Sequence, residues 1–417
     1  MAVRTVPPTR RLDDRRSRWG LFIPIAIGVA VASIFAACDS SKDTVAPVHF
    51  ETLDPNLVAQ GKSIFRFNTF GDETYWTDTL HMNQVVQSGV SPKTALAVGL
   101  KVDMDTLPPA VVSAIQAGQV NLDDPATTVT LLKLGAVVGL DGTVQTINGK
   151  DSLVALGVTC ALCHSTVDDA FAPGIGHRLD GWPNHDLNVG AIVALSPAVP
   201  AALKAILTSW GPGKYDARTN FDGKNDPAVI PPAYGLNGVA KELYTGDDTV
   251  SYWNDYVAVT QMHGHGVFRD PRLGINVSNG TDVVTPLLPA LREYQFSLGV
   301  PRPAAGVVDA SAAARGKALF DGSARCATCH TGTLFTDINS GRLHTAQDVG
   351  QDPTYAERSV TGRYRTTPLR GLLQHPPYFH DGSAATLAAV VDHYDALMSL
   401  HLTAQQKADL VAYLSTL

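Results

Sequence analysis

The end of the chain carries the clearest helical spacing of apolar and polar positions. In "LTAQQKADLVAYLSTL" (402–417) one face collects four apolar side chains, those of Leu410, Val411, Leu414 and Leu417. Thr403 and Gln406 have the spacing of a capping box, which satisfies the free amides of the first helical turn. The pattern therefore predicts a helix that closes the chain.

A second helix is predicted from about Ala312 to Phe320, with Ser311 as its N-cap. Its run "AARGKALF" (313–320) is echoed far upstream by "VAQGKSIF" (58–65). This echo is a weak internal repeat, and it predicts two units of similar plan that begin at these two places.

The rest of the chain has less regular patterns. Residues 66–159 contain helical pieces broken by prolines, followed by "TVTLLKLGAVVGLDGTVQTINGK", whose alternation predicts a hairpin around its "DG". Residues 211–302 are rich in proline, glycine and aromatic residues, and we interpret them as loops and short helices. A linker is expected near "GVPRPAAGVV".

The start of the chain predicts export. Residues 1–18 contain six arginines and two acidic residues, and the uncharged run "WGLFIPIAIGVAVASIFAAC" follows and ends at Cys38. Residues 1–38 therefore have the pattern of a secretory signal peptide. Because "FAAC" resembles a bacterial lipobox, Cys38 is predicted to be the lipidated first residue of a mature periplasmic protein, with residues 39–55 as its tether. An uncleaved membrane anchor is the alternative, since the run is just long enough to span a bilayer.

The charge balance limits the partners. The chain has 32 basic and 39 acidic residues, and without residues 1–38 it keeps 26 and 37, a net charge near −11. An acidic surface argues against nucleic acid and is compatible with a basic redox partner. The 380 residues from Cys38 onward are enough for two domains with cores of their own.

The remaining cysteines form two short motifs, "CALCH" with Cys160, Cys163 and His164, and "CATCH" with Cys326, Cys329 and His330. An exported protein would ordinarily pair such cysteines as disulfides. However, C-x-x-C-H is the attachment signature of c-type haem. The two thiols add to the haem vinyl groups, and the adjacent histidine binds the iron as proximal ligand. The sequence therefore predicts a c-type cytochrome with two covalently bound haems.

A family resemblance follows from the segments around these motifs. "YRTTPLRGLLQHPPYFHDGSAATLAAVVDHY" (364–394) is similar to the C-terminal signature of bacterial di-haem cytochrome c peroxidases and MauG-like proteins. "GIGH" (174–177) and "WPNHDLNVGAIVALSP" resemble segments that follow the first haem in those peroxidases. The resemblance implies a mainly α fold of two cytochrome c-type haem domains. These would be residues 56–302, which carry a large insertion at 66–159, and residues 303–417.

The resemblance also implies roles at the first haem, where peroxide would react. His164 is its expected proximal ligand, and His177 is the expected distal ligand and catalytic residue. In the oxidised family enzyme this distal histidine occupies the iron and leaves before peroxide binds. His185 is the second candidate for the position. The catalytic glutamate of the family has no clear counterpart, and Glu242 is the remaining candidate.

At the second haem His330 is the expected proximal ligand, and the opposite face needs a ligand of its own. Cytochrome c peroxidases use methionine there and MauG-like proteins use tyrosine, and the family position falls on Tyr394. Met398 is the second candidate and His393 the third. Methionine raises the haem potential, whereas tyrosinate favours the ferric and higher states.

Four further features of the sequence have less specific interpretations. His380 and Arg370 are family positions, expected near the propionates of the second haem or between the haems. His263 and His265 in "MHGHG" are interpreted as a loop pair, because no further ligand lies at metal-binding spacing. The family resemblance suggests a calcium ion, Ca²⁺, and "DGKND" (222–226) faintly resembles a cation-binding loop.

Three functions remain open on the sequence alone. The first is peroxidase-type reduction of hydrogen peroxide or another small oxidant, with electrons from a donor protein such as a small cytochrome c or a cupredoxin. The second is a MauG-like oxidase of another substrate, which Tyr394 favours. The third is a membrane-tethered electron-transfer cytochrome with no enzymatic activity.

Overall fold

The computed structural model of the protein describes residues 48–417. The predicted signal peptide, the lipidation site Cys38 and most of the predicted tether lie outside these residues. None of the helices in the described part of the chain combines the length and apolar character that crossing a bilayer requires.

The described residues are mainly α-helical. Proline often opens a helix, because its missing amide would have no partner in the first turn. The helices are α1 (Pro55–Phe67), α2 (Met82–Gly89), α3 (Pro92–Ala97), α4 (Pro109–Gln116), α5 (Pro125–Lys133), α6 (Ala161–His164), α7 (Val189–Ala194), α8 (Ala201–Ser209), α9 (Thr219–Asp222), α10 (Val250–Thr260), α11 (Leu288–Ser297), α12 (Ala310–Asp321), α13 (Ala346–Val349), α14 (Pro353–Glu357), α15 (Leu387–Met398) and α16 (Ala404–Leu414).

The strands are short and pair two by two. They are β1 (Val102–Asp103), β2 (Leu140–Ile147), β3 (Lys150–Val158), β4 (Ser165–Val167), β5 (Ile175–Gly176), β6 (Arg178–Asp180), β7 (Lys214–Tyr215), β8 (Ala228–Val229), β9 (Val267–Asp270) and β10 (Ile275–Ser278). The pair β1–β5 is parallel, whereas β2–β3, β4–β6, β7–β8 and β9–β10 are antiparallel. A single π-helical turn, Thr74–Thr79, follows α1.

Two helix pairs repeat the same packing in the two halves of the chain. In the first half α1 packs on α11, and in the second half α12 packs on α16. Gly61 of α1 and Gly316 of α12 lie against the backbone of the partner helix, where a Cβ would come within 1.9 Å of a carbonyl oxygen. Phe65 stacks edge-on against α11 and Phe320 against α16, with ring centroids 5.4 Å and 5.2 Å from their tyrosine partners. The internal repeat of the sequence is therefore visible as a repeated structure.

Each half has its own apolar core. The larger cluster of buried side chains runs from Ile64 to Tyr294, and a separate cluster runs from Phe320 to Leu414. The closing helix has the predicted capping box at Thr403, and it buries Leu410 and Leu414 as expected. Helix α12 begins slightly earlier than predicted, because Asp309 and not Ser311 accepts from the first amides.

The hairpin prediction was right about the segment and wrong about the turn. β2 and β3 pair around Asn148 and Gly149, and Asp141–Gly142 lies inside β2. Both turn residues have positive φ, 54° and 77°, which is the conformation that a two-residue I′ turn requires. Asparagine followed by glycine meets this requirement with little strain.

The prediction of loops and short helices for residues 211–302 underestimated the helical content of this region. This region contains the full-length helices α10 and α11, and α11 is the partner of α1. The signal was the match of "ALREY" (290–294) with "DLVAY" (409–413), since both segments place a tyrosine against the glycine of the partner helix.

Candidate haem-binding site

The first cysteine motif forms the short helix α6, and backbone contacts hold it on both sides. Gly139 has a positive φ and lies so close to Leu162 that a Cβ would come within 2.1 Å of its Cα. On the other side the amides of Gly181 and Asn184 donate to the carbonyl oxygens of His164 and Cys163, at 2.8 and 2.9 Å. The motif is therefore fixed between the β2–β3 hairpin and the segment after β6.

The second motif begins with a 3₁₀ turn, Cys326–Thr328, separated from the end of α12 by residues 322–325. Arg325 precedes it in the left-handed conformation, with φ of 58°, and reverses the chain after the helix. The amide of His330 donates to the carbonyl oxygen of Cys326 at 3.0 Å. Both motifs thus place two cysteine side chains and one histidine side chain on a single tight turn.

The two motif histidines have matching surroundings. Nδ1 of His164 lies 3.1 Å from the carbonyl oxygen of Pro231, and Nδ1 of His330 lies 2.9 Å from that of Phe335. A carbonyl oxygen only accepts, so each ring carries its proton on Nδ1 and leaves Nε2 free as a ligand atom. Burial lowers the pKa of both rings, to about 4 for His164, and this keeps them neutral as metal binding requires.

One cavity of about 1200 Å³ runs past both motifs. Cys160, Cys163 and His164 line one end, and Cys326, Cys329 and His330 line the other. Cavities for drug-sized ligands measure about 300–1,000 Å³, so this volume suits more than one large flat ligand. The cavity connects the two halves of the molecule.

The residues around this cavity fit covalently bound haem. All four motif cysteines are free thiols and are partly buried. Among the described residues, Nε of Arg365 and Nη2 of Arg370 are buried without a hydrogen-bond partner, and both side chains line the cavity. Buried guanidinium groups of this kind need anionic partners, and haem propionates are anions. Arg370, expected near a propionate, is therefore in a suitable place.

In the second half, two of the three ligand candidates reach the cavity. Tyr394 and Met398 lie on the side of α15 that lines it. Burial, and then the nearby Cys329 and Cys326, raise the pKa of the Tyr394 hydroxyl to about 12. His393 does not line the cavity. Its ring lies against another segment instead, with Nε2 2.9 Å from the carbonyl oxygen of Val349. The geometry thus favours Tyr394 or Met398 over His393.

In the first half, the structure does not bring His177 to the cavity. Its Nδ1 lies 2.8 Å from Oδ1 of Asp105, and half of its side chain is exposed to solvent. This ion pair at the surface raises the pKa of His177. The "GIGH" segment consists of β5, which pairs with β1, and one residue on each side of it. The expectation of His177 as distal ligand thus has no support in this geometry.

His185, the second candidate, lines the cavity but has other partners. Its Nδ1 lies 2.7 Å from the carbonyl oxygen of Pro376, and its Nε2 lies 2.9 Å from that of Ile230. Both ring nitrogens therefore face backbone carbonyls, one from each half of the chain. The side chain joins the two halves and has no nitrogen left for iron.

An aromatic cluster around His380 lines the same cavity. The His380 ring is 5.1 Å from those of Tyr355 and Tyr364, and Nε2 of His380 lies 3.3 Å from the Tyr364 hydroxyl. The carbonyl oxygen of His380 accepts from the Val229 amide at 2.7 Å, next to the loop that holds His164. The motif around His380 was recognised in the sequence. Tyr364 begins the same quoted segment and Tyr355 precedes it, but nothing in the sequence indicated that their rings contact His380.

The other acidic candidates have partners in the protein. Glu242 lines the cavity, and Arg365 pairs with it at 3.2 Å, while burial raises its pKa. In the "DGKND" segment the Asp222 carboxylate accepts from Arg358 at 2.6 Å. These partners account for both carboxylates without a cation, and the calcium expectation stays untested.

A possible metal cluster lies beside the second motif. Cys329, Asp337 and His344 bring one ligand atom each within 4.8 Å of the others. Nε2 of His344 already lies 3.0 Å from the Asp337 carboxylate, and Cys329 belongs to the haem motif. The cluster is therefore part of the haem surroundings.

Comparison with known proteins gives several relatives, although no family model matches the sequence. The methylamine utilization protein MauG from Methylorubrum extorquens is 29% identical over 283 residues, a match that covers 62% of this chain and 72% of MauG. The cytochrome-c peroxidase IdrP1 from Denitromonas iodatirespirans is 31% identical over 149 residues. This match covers 25% of this chain and 40% of the peroxidase.

Among solved structures, the diheme peroxidase BthA Y463M variant from Burkholderia thailandensis is 13% identical, with a TM-score of 0.26. The match covers 88% of this chain and 87% of that one. A MauG-like protein associated with microbial copper homeostasis is 21% identical over 45% of this chain and 72% of that one, with a TM-score of 0.32. TM-scores of this size do not establish a shared fold.

Proposed function

We propose that the chain, which is similar to MauG and to cytochrome-c peroxidases, is a di-haem peroxidase-type oxidoreductase that reduces hydrogen peroxide at its first haem site. The second haem site would store or relay the electrons. Each half of the chain is a cytochrome c-type domain in this proposal, and residues 66–159 are an insertion in the first.

The chain holds the two haems through its own side chains. Cys160 and Cys163 would bind the first haem and Cys326 and Cys329 the second, with His164 and His330 as iron ligands. Haem bound at these motifs supplies a redox-active iron. The carbonyl oxygens beside Nδ1 of each histidine orient the rings and make them more basic ligands. Arg365 and Arg370 are available to neutralise propionate charge.

One observation carries the proposal: both motifs line the same cavity. A shared cavity allows electrons to pass between the two sites through a short protein path. The aromatic cluster around His380 lines this cavity as well. A carrier protein with two independent haems would not need to enclose both in one space.

Tyr394 favours a second candidate, a MauG-like oxidase of another substrate. Its side chain lines the cavity and lies close to Cys326 and Cys329. An anionic tyrosine ligand stabilises oxidised iron, so the second haem would store oxidising equivalents better than electrons. The proposed partners differ accordingly: an electron-donor protein in the first case, an organic or protein substrate in the second.

The location of the protein is a further part of the proposal. An exported protein tethered to the membrane through Cys38 would meet small electron carriers such as a cytochrome c or a cupredoxin in the periplasm. The acidic net charge of the mature chain suits a basic carrier.

Stopped-flow absorbance of the half-reduced protein, with and without hydrogen peroxide, tests the proposal. We expect rapid oxidation by peroxide in the wild type. Tyr394→Phe should change the spectrum of the second haem and its oxidised state, whereas Tyr413→Phe is the matched control, because Tyr413 packs on Phe320 away from the cavity. If peroxide leaves both haems unchanged, the peroxidase proposal is wrong. If Tyr394→Phe and Tyr413→Phe have the same spectrum, Tyr394 is not a ligand.

A further inference from the structure

Helices α10 and α15 occupy corresponding places in the two halves. Each contacts the closing helix of its half, α11 or α16, and each lines the cavity with one face. Counted from their N-caps, Thr249 and Thr386, the two helices share five lining positions: Val250, Trp253, Asn254, Val257 and the C-cap Gln261 in the first half, and Leu387, Val390, Val391, Tyr394 and Met398 in the second. Ala258 and Thr260 line the cavity in addition. Val257 therefore stands where the second half has Tyr394.

This correspondence leaves the first site without an iron ligand from its helix. Valine cannot bind iron, and an amide such as that of Gln261 is not among the usual haem ligands. The chemistry of this face must then come from other polar side chains nearby. The segment that follows Gln261 supplies one of them.

His263 is held at the end of α10 in a special backbone conformation. Its φ is 66°, in the left-handed region that few residues other than glycine adopt. The flanking residues are tied down, because the Met262 and Gly264 amides donate to carbonyl oxygens of α10 at 2.9 and 2.8 Å. Trp76 also donates its indole N–H to the Met262 carbonyl oxygen at 3.2 Å. The backbone on both sides of His263 therefore fixes the position of its ring.

The His263 ring faces the cavity and stacks on Tyr75. The two ring centroids are 3.7 Å apart with an angle of 18° between the planes, and both side chains line the cavity. Within residues 48–417, no hydrogen bond engages the His263 ring nitrogens or the Tyr75 hydroxyl. His265, two residues on, is exposed and lies against Gly71. His263 alone of this pair is therefore free to act in the cavity.

The same wall of the cavity lies close to the first cysteine motif. Tyr215 donates its hydroxyl to Gln261 at 2.8 Å. Burial, followed by Cys163, Tyr256 and Tyr75 as neighbours, raises the pKa of Tyr215. Tyr215 thus lies near both Cys163 and Tyr75, so the polar wall faces the motif that holds the first haem.

We propose that His263, positioned by Tyr75, is the proton-transferring residue on the open face of the first haem site. This inference rests on the proposed peroxidase function and names a residue for it. Reduction of hydrogen peroxide breaks the O–O bond and consumes two electrons and two protons to give two waters. The donor protein supplies the electrons. His263 takes the proton from one peroxide oxygen and returns it to the other, which leaves as water.

Two measurements test this role, and one does not depend on peroxide. Hydrogen cyanide must lose its proton to bind ferric haem, so a proton acceptor in the cavity speeds its binding. We expect His263→Asn to slow cyanide binding about tenfold or more, and the reaction with peroxide by about 100-fold or more, the lower end of general acid–base effects. His265→Asn is the control and should leave both rates unchanged.

The variants are chosen so that a folding defect is not mistaken for the loss of the imidazole ring. Asparagine tolerates the left-handed backbone of residue 263, and His263→Gly removes all strain there if the first variant binds too little haem. Cyanide binding at the wild-type rate in a haem-replete variant would overturn the role of His263. If the wild type ignores peroxide but His263→Asn still slows cyanide binding, the proposed function fails and the assignment of His263 stands.

Discussion

Two glycines allow a pair of helices to touch at the backbone in each half of the molecule. Gly61 meets the carbonyl oxygen of Ala290, and Gly316 meets that of Asp409. No larger residue fits there, because even a methyl group would overlap the facing backbone. The close approach brings Phe65 and Phe320 onto their tyrosine partners, next to the cysteine motifs.

Replacement of one glycine tests this contact. In Gly316→Ala the new Cβ would lie 1.9 Å from the Asp409 oxygen and 2.8 Å from Cβ of Tyr413. The helices must move apart, and we expect a loss of about 1–3 kcal/mol in the free energy of unfolding, as in other overpacked cores. Guanidinium unfolding followed by circular dichroism measures it.

Gly89→Ala is the control for this prediction. Gly89 ends α2, and a Cβ there would meet nothing within 4 Å. We expect this variant to stay within about 0.5 kcal/mol of the wild type or to gain stability. Equal stability of the two variants would show that the close approach of α12 and α16 is not tight.

At the scale of elements, the two halves contain corresponding helices that present different side chains to the cavity. α15 presents Tyr394 to the cavity, whereas α10 presents Val257 from the corresponding position, with 37% of its surface exposed. In the proposed function, Tyr394 would give the second haem a ligand, whereas Val257 cannot give one to the first. An open iron face would suit a small oxidant.

This difference predicts that a ligand can be transferred between the halves. Val257→Tyr should place a phenol oxygen at the first haem, remove the high-spin signal of an open ferric haem from the electron paramagnetic resonance spectrum, and weaken cyanide binding at least about tenfold, or 1.4 kcal/mol. Val257→Phe adds the ring without the oxygen and should keep the high-spin signal. A high-spin signal that persists in Val257→Tyr would contradict the correspondence of α10 and α15.

At the scale of the whole molecule, buried polar contacts join the halves around the cavity. Arg358 of the second half donates two hydrogen bonds to Asp216 of the first, both 2.9 Å long, and each side chain is only 1% exposed. His185 contacts carbonyl oxygens of both halves. These contacts hold the two motifs in one cavity, although the apolar cores are separate.

Loss of the buried ion pair should be costly. Arg358→Met leaves the Asp216 carboxylate buried without its cation, and we expect a loss of about 3–5 kcal/mol in the free energy of unfolding. Arg315→Met is the control, because Arg315 is 54% exposed in its pair with Asp409 and exposed pairs contribute about 0–1 kcal/mol. A similar small loss in both variants, measured by the same guanidinium titration, would mean that the halves do not depend on Arg358.

The features that the sequence predicted correctly are those that depend on the spacing of neighbouring residues in the chain. The haem motifs, the capped closing helix and the repeat of "GKxxF" all depend on residues close together in the chain. The partner helix α11 was missed, because its short apolar pattern lies in a region rich in proline and glycine. Its pairing with α1 joins segments more than two hundred residues apart, and no local pattern reports such a contact.

The sequence by itself determined the two C-x-x-C-H motifs, the similarity to MauG and to cytochrome-c peroxidases, and the prediction of Tyr394 as a haem ligand. Only the tertiary structure decided which side chains reach the cavity. His177 lies at the surface, where its ring pairs with the Asp105 carboxylate, whereas His263 follows the end of α10 and lines the cavity. The reason is physical, since residue type sets what a side chain can do, while the packing of distant segments sets what it can touch.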